Sequence, residues 1–150
     1  MIVHGKRDAY GSCFHVFENT GLVVSFTAFP AFENVITGMT GVLPAGRYKV
    51  TPSYSWNHDS TNNSFVSRLL VNGALVAAFV PHIHRQEPSD ANGAARFPAT
   101  GTDQTFGFCK PYFVDLPAPQ AMMVELDIAT TNATLESSIW ESSIEIIRVE

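Results

Sequence analysis

Over residues 47–56 the side chains of Tyr48, Val50, Tyr54 and Trp56 alternate with Arg47, Lys49, Thr51, Ser53 and Ser55. A period of two puts neighbours on opposite faces of an extended chain, so the segment predicts a strand with one buried face. Pro52 interrupts the run and has no N–H to give to a ladder. The strand is therefore expected at a sheet edge, or bulged at that proline. Met122, Val124, Leu126 and Ile128 repeat the alternation around Glu125 and Asp127. Leu22, Val24, Phe26 and Ala28 do so more weakly around Ser25 and Thr27.

Turn chemistry separates these runs. Asn72-Gly73 sits between two apolar segments, and both residues accept positive φ, which predicts a type I′ hairpin. Pro44-Ala45-Gly46 introduces the Tyr48 strand, and Leu116-Pro117-Ala118-Pro119 introduces the Met122 strand. Near the end, Ile144 and Ile146 share one face before the apolar positions shift to Ile147 and Val149. That shift predicts a bulge, or burial of both faces, close to the terminus. Residues 31–39 put Phe32, Val35, Ile36 and Met39 on one helical face, but Gly38 and the β-branched residues suit an irregular strand equally. The sum is an all-β chain, a two-sheet antiparallel sandwich or jelly roll of about eight strands. The expected organisation is an N-terminal arm over residues 1–10 and a jelly-roll β-sandwich domain over 11–150.

A chain of 150 residues is long enough to bury a core of its own. Charged residues make up 15%, well under the roughly one quarter usual for soluble domains. The net charge of -5 argues against nucleic acid as a partner. No apolar run is long enough for a transmembrane helix, and none follows the basic start as a signal peptide would require. Cys13 and Cys109 have no metal or redox spacing and are expected as reduced, buried thiols. From Pro111 onward Arg148 is the single base, against Asp115, Glu125, Asp127, Glu136, Glu141, Glu145 and Glu150. Such a run predicts the solvated face of two or three strands, or an acidic surface for a basic neighbour.

The segment His82-Ile83-His84 with Glu87 is the most suggestive local chemistry, because two imidazoles at i and i+2 on a strand reach one metal. It resembles the metal motif of cupins. The carboxylate comes too early for that motif, Pro81 and Pro88 bracket the stretch as loop, and no histidine follows His84. His82, His84 and Glu87 thus remain weak metal candidates, and no metal or other cofactor is expected. There is no G-x-S-x-G elbow, no phosphate loop, and no catalytic context around either cysteine. No catalytic residue is assigned, and the chain is not expected to be an enzyme.

The segment Leu43-Pro44-Ala45-Gly46-Arg47-Tyr48-Lys49-Val50, followed by Ser53-Tyr54-Ser55-Trp56-Asn57, resembles small jelly-roll virion proteins of tailed bacteriophages. So do Leu70-Val71-Asn72-Gly73, His84-Arg85-Gln86-Glu87-Pro88-Ser89-Asp90 and the closing Ser143-Ile144-Glu145-Ile146-Ile147-Arg148-Val149. These proteins include capsid decoration or cement subunits and tail-fibre or tail-needle knobs, with folds similar to C1q and tumour necrosis factor. The resemblance implies a non-enzymatic virion structural protein, a decoration or cement subunit clamping neighbouring capsid subunits. It implies a homo-oligomer, with a trimer as the expected number, and the phage major capsid protein or other virion proteins as partners. Neither nucleic acid nor membrane is expected as a partner, and the expected location is the virion, at the capsid surface before the tail. The alternatives are a knob binding a host receptor or glycan, and a cupin-like metalloenzyme. Interface candidates are Lys6, Arg7, Trp56, His82, His84 and Trp140, the tryptophans as platforms for sugar rings.

Overall fold

The computed structural model describes residues 2–7, 13–59, 64–76, 82–85 and 106–150. These form twelve strands: β1 (Ile2–Arg7), β2 (Cys13–Asn19), β3 (Val23–Ser25), β4 (Glu33–Leu43), β5 (Gly46–His58) and β6 (Ser64–Val71), then β7 (Ala74–Leu75), β8 (His82–Arg85), β9 (Phe106–Cys109), β10 (Tyr112–Leu116), β11 (Gln120–Thr130) and β12 (Ser137–Arg148). The larger sheet runs β1-β2-β12-β5-β10, with β3 also on β12 and β9 also on β5; the smaller runs β4-β11-β6-β7, with β8 also on β6. Every pairing between named strands is antiparallel. The chain changes sheet between β3 and β4, β4 and β5, β5 and β6, β8 and β9, β10 and β11, and β11 and β12. The antiparallel two-sheet sandwich is the expected fold class. Its strands outnumber the expected eight because half-length partners line the long ones: β2 and β3 share β12, while β9 and β10 share β5.

The core lies between the sheets. Tyr48, Val50, Tyr54 and Trp56 of β5 meet Met122, Val124, Leu126 and Ile128 of β11, as both alternations predict. Fully burying each such side chain stabilises by about 1.5–3 kcal/mol. Phe65 and Tyr112 belong to this core, Phe108 packs at its margin, and Phe113 is exposed. The side chains of Phe79, Phe97 and Phe106 lie outside the described residues.

Pro52 is not at an edge. It faces Ile144 of β12 on one flank, and on the other it falls in the break between β10, whose pairing stops at Val50, and β9, whose pairing starts at Ser53. A residue without an N–H is tolerated where the ladder is already interrupted. Residues 33–43 are strand, and two extra residues explain their helical look. Leu126 pairs Ile36 while Asp127 pairs Asn34, which leaves Val35 as a bulge; a second irregularity falls between Met39 and Val42. Bulging puts Val35 and Ile36 both inside. The Asn72-Gly73 turn has positive φ at both positions, as expected.

The shift from Ile146 to Ile147 and Val149 carries no bulge, since residues 143–148 pair with β5 in unbroken register. The irregularity in β12 lies between Trp140 and Ser143, where Glu141 has φ 50°. This extra residue changes the phase of the strand, so that Ile139 before it and Ile144 and Ile146 after it all reach the core. Ile147 is half-buried on the outer face and Val149 is exposed.

Candidate functional site

Asn57 and Ser138 face each other across β5 and β12, as do Ser55 and Trp140 two pairs further along. Buried Trp56 and Ile139 take the inner face, so these four point outward. Beyond them the end of β5 and the start of β12 are tied together: Asp59 N donates to Glu136 O at 3.1 Å, and Glu136 N donates to Asp59 Oδ2 at 3.1 Å. Ser138 Oγ donates to Glu136 Oε1 at 2.5 Å. The third wall comes from the bend between β2 and β3. Asn19 anchors it by accepting from Gly21 N at 3.1 Å, donating to Val35 O of the opposite sheet at 3.0 Å, and accepting from Ser142 Oγ at 3.1 Å. The result is a cleft of roughly 520 Å³ lined by Thr20, Leu22, Asn57, Asp59, Glu136, Ser138 and Trp140.

Leu22 is 64% exposed and Phe26 52% exposed, with Val24 between them also on the surface. The alternation read there is real, but its apolar side faces out. Val23 packs against the core and Ser25 is buried instead.

The interface candidates separate. Trp140 is half-buried and lines the cleft. Trp56 is only 4% exposed and stacks on Phe65 at 5.0 Å between ring centres, so it is a core residue and not a surface platform. Lys6 and Arg7 lie on β1 opposite Phe14 and Cys13 of β2; residues 2–7 of the stretch expected as an arm are extended and run along β2 in the larger sheet. His82 and His84 occupy alternate positions of β8, opposite Ser67 and Phe65 of β6. Residues 82–85 are thus strand where loop was expected, because pairing with β6 supplies the ladder. Glu87 lies outside the described residues. Among those residues no group of three or more His, Cys, Asp or Glu is placed to hold a metal ion. His58 is buried and bonds Thr130 Oγ1 at 3.0 Å. Cys109 is a free, exposed thiol where a buried one was expected.

One acid also leaves its expected role. Asp127 was read as part of an exposed face but is 4% exposed. Its Oδ2 meets Arg68 Nε at 2.8 Å, its Oδ1 accepts from Asn34 Nδ2 at 2.9 Å, and the Arg68 guanidinium lies 4.0 Å from the centre of the Phe32 ring. The pair Arg47–Asp115, 3.9 Å apart and well exposed, contributes little.

In known structures the chain matches one from infectious bursal disease virus, Gt strain, at TM-score 0.55 and 10% identity, covering 95% of this chain and 34% of that one. A second match, dimeric latent PorU from Porphyromonas gingivalis, has TM-score 0.37 and 12% identity over 89% of this chain and 13% of that one. The chain therefore spans about a third, or less, of the proteins it matches. No family model and no curated protein matches it. The virus chain shares the fold. At 10% identity the likeness extends no further.

Chemically, the cleft offers an indole and a leucine side chain as apolar area, an amide, two hydroxyls and two carboxylates. Of the lining residues, the sequence marks Trp140 alone as a site candidate. Asn57 lies at the end of β5 with Asp59 just beyond it, and Ser138 at the start of β12 with Glu136 just before it, so only the strand pairing brings them together. Nothing in their spacing signals it.

Proposed function

We propose that this chain is a non-enzymatic virion structural protein, a decoration or cement subunit that clamps neighbouring capsid subunits at the capsid surface. The observation that carries this reading is the outer face of the smaller sheet. Met39 is 62% exposed and Val42 73% exposed. Met39 is in register with Met123, Val42 with Ala121, and Leu70 with Leu75. Met122 and Val124 point into the core, so Met123 shares the outer face with Met39. Exposed apolar side chains gathered on one sheet face of a small domain mark an interaction surface. The sandwich fold shared with a virus chain supports the same reading.

The test is the copy number and position of the chain in purified particles, with the mass of the isolated protein by light scattering. Many copies on the shell and a homotrimer in solution are expected. A lone monomer that binds no particle would overturn the proposal. The second reading, a tail knob that contacts a host receptor, is favoured by the cleft at Trp140, and a few copies at one vertex would select it.

A further inference from the structure

We infer that the Trp140 cleft is a binding site for an uncharged pyranose sugar. The inference stands on the cleft alone, whatever the position of the chain in a particle.

A pyranose has an apolar face of C–H groups and an edge of hydroxyls, and the cleft matches both. Trp140 and Leu22 supply adjoining apolar area on the outer side of β12 and the β2–β3 bend. An indole beside hydroxyl-rich ligand is the usual amphipathic compromise, ring face on apolar surface and N–H to a polar partner. Asp59 and Glu136 each have one carboxylate oxygen held by the chain, through Glu136 N and Ser138 Oγ respectively. Each keeps a second oxygen with no partner among the described residues, an acceptor for a hydroxyl donor. Because the first oxygen is fixed, little side-chain freedom is lost when the second one binds.

Charge narrows the class. No Lys or Arg lines the cleft among the described residues, so an acidic sugar would meet two carboxylates with no compensating cation. The size also fits. Roughly 520 Å³ lies within the range of small-ligand sites and holds a mono- or disaccharide. The bulge at Glu141 is what makes the site, since it keeps Trp140 outward while returning the rest of β12 to the core.

The experiment uses the full chain and titrates it with methyl glycosides of mannose, galactose, glucose and N-acetylglucosamine. N-acetylneuraminic acid and a tetralysine peptide serve as contrasts. Saturation-transfer NMR reports contact, and tryptophan fluorescence reports the site, because Trp56 is buried. At least one neutral glycoside should bind at millimolar concentration and shift the emission. Trp140→Ala should weaken it by roughly tenfold or more, and Trp140→Tyr should retain part of the binding. Asp59→Asn with Glu136→Gln should also weaken it, each variant still unfolding cooperatively on heating. Trp140→Tyr guards against misfolding of the alanine variant. Binding that survives Trp140→Ala in folded protein would overturn the assignment. So would a response to sialic acid or tetralysine alone, or silence across the neutral panel.

Discussion

The ring of Phe17 on β2 rests against the bare α-carbon of Gly38 on β4, so closely that a β-carbon at position 38 would run into the ring. Phe17 is wholly buried, and its partner across the interior has no side chain. Sheets pack about 10 Å apart, and a large residue on one inner face needs a small one opposite. Gly38→Ala should therefore destabilise the fold by about 1–3 kcal/mol through overpacking, read as a lower denaturant midpoint. Phe17→Leu should recover part of that loss in the double variant, a coupling that independent sites would not show.

The Arg68–Asp127 pair makes a second case. Asp127 is buried beneath Arg68 and Asn34, and both of these partners keep contact with solvent. Asp127→Asn keeps the size and the acceptor for Asn34 but removes the charge facing the guanidinium. A loss of about 1.5–3 kcal/mol is expected, measured by chemical unfolding. Arg68→Met in the Asp127→Asn background should cost less than Arg68→Met alone, because the buried carboxylate is no longer stranded.

Acid should weaken the protein through His15. Burial holds its imidazole below the usual value of 6.5, so the folded state binds fewer protons than the unfolded chain. The contribution is complete above about pH 6.5 and is lost as pH falls through that value toward the lower folded one. Thermal midpoints of wild type and His15→Gln should run parallel near neutral pH and diverge as pH falls below about 6.5, the wild type losing more. An identical acid profile in the two proteins would remove His15 from the account.

Tyr112 offers an alkaline counterpart. Burial raises its phenol to about 12, and Tyr54, buried and bonded to Ser67 Oγ at 2.6 Å, is pushed higher still. Spectrophotometric titration should show part of the tyrosine absorbance ionising well above pH 10, and Tyr112→Phe should remove a share of that late signal.

The outer face of the smaller sheet can be tested apart from stability. Met39→Lys combined with Val42→Glu changes two exposed side chains, so the folding free energy should move by only about 0.5 kcal/mol. Self-association and particle attachment should nonetheless fall, as followed by sedimentation. Unchanged association would place the contact on another face.

Much of the fold was legible because its signals are local. Tyr48 through Trp56 needs only the strand period, and Asn72-Gly73 needs only the tolerance of both residues for positive φ. Alternation gives two faces but not which one is inside, and that is why Leu22, Val24 and Phe26 read as buried. The burial of Val23 and Ser25 decides it, and depends on a neighbour far along the chain. Bulges hide more. Val35 imitates a helical spacing, and Glu141 resets the phase that carries Trp140 outward. The same reasoning separates the two tryptophans. Trp56 shares the phase of Tyr48, Val50 and Tyr54, so its burial was readable, whereas the surface position of Trp140 depends on a bulge that no residue pattern announces. The cleft draws on β5, β12 and the β2–β3 bend, and no linear motif spans them.

Strand β12 comes after every other described strand in the chain, yet it lies between β2 and β5 and holds β3 as well. While the ribosome is still making the polypeptide, the larger sheet lacks its middle, and β2 and β5 present bare backbone edges. Nascent molecules must wait for residues 137–148 to emerge before those edges close. The interval leaves them open to chaperones or to mispairing with one another.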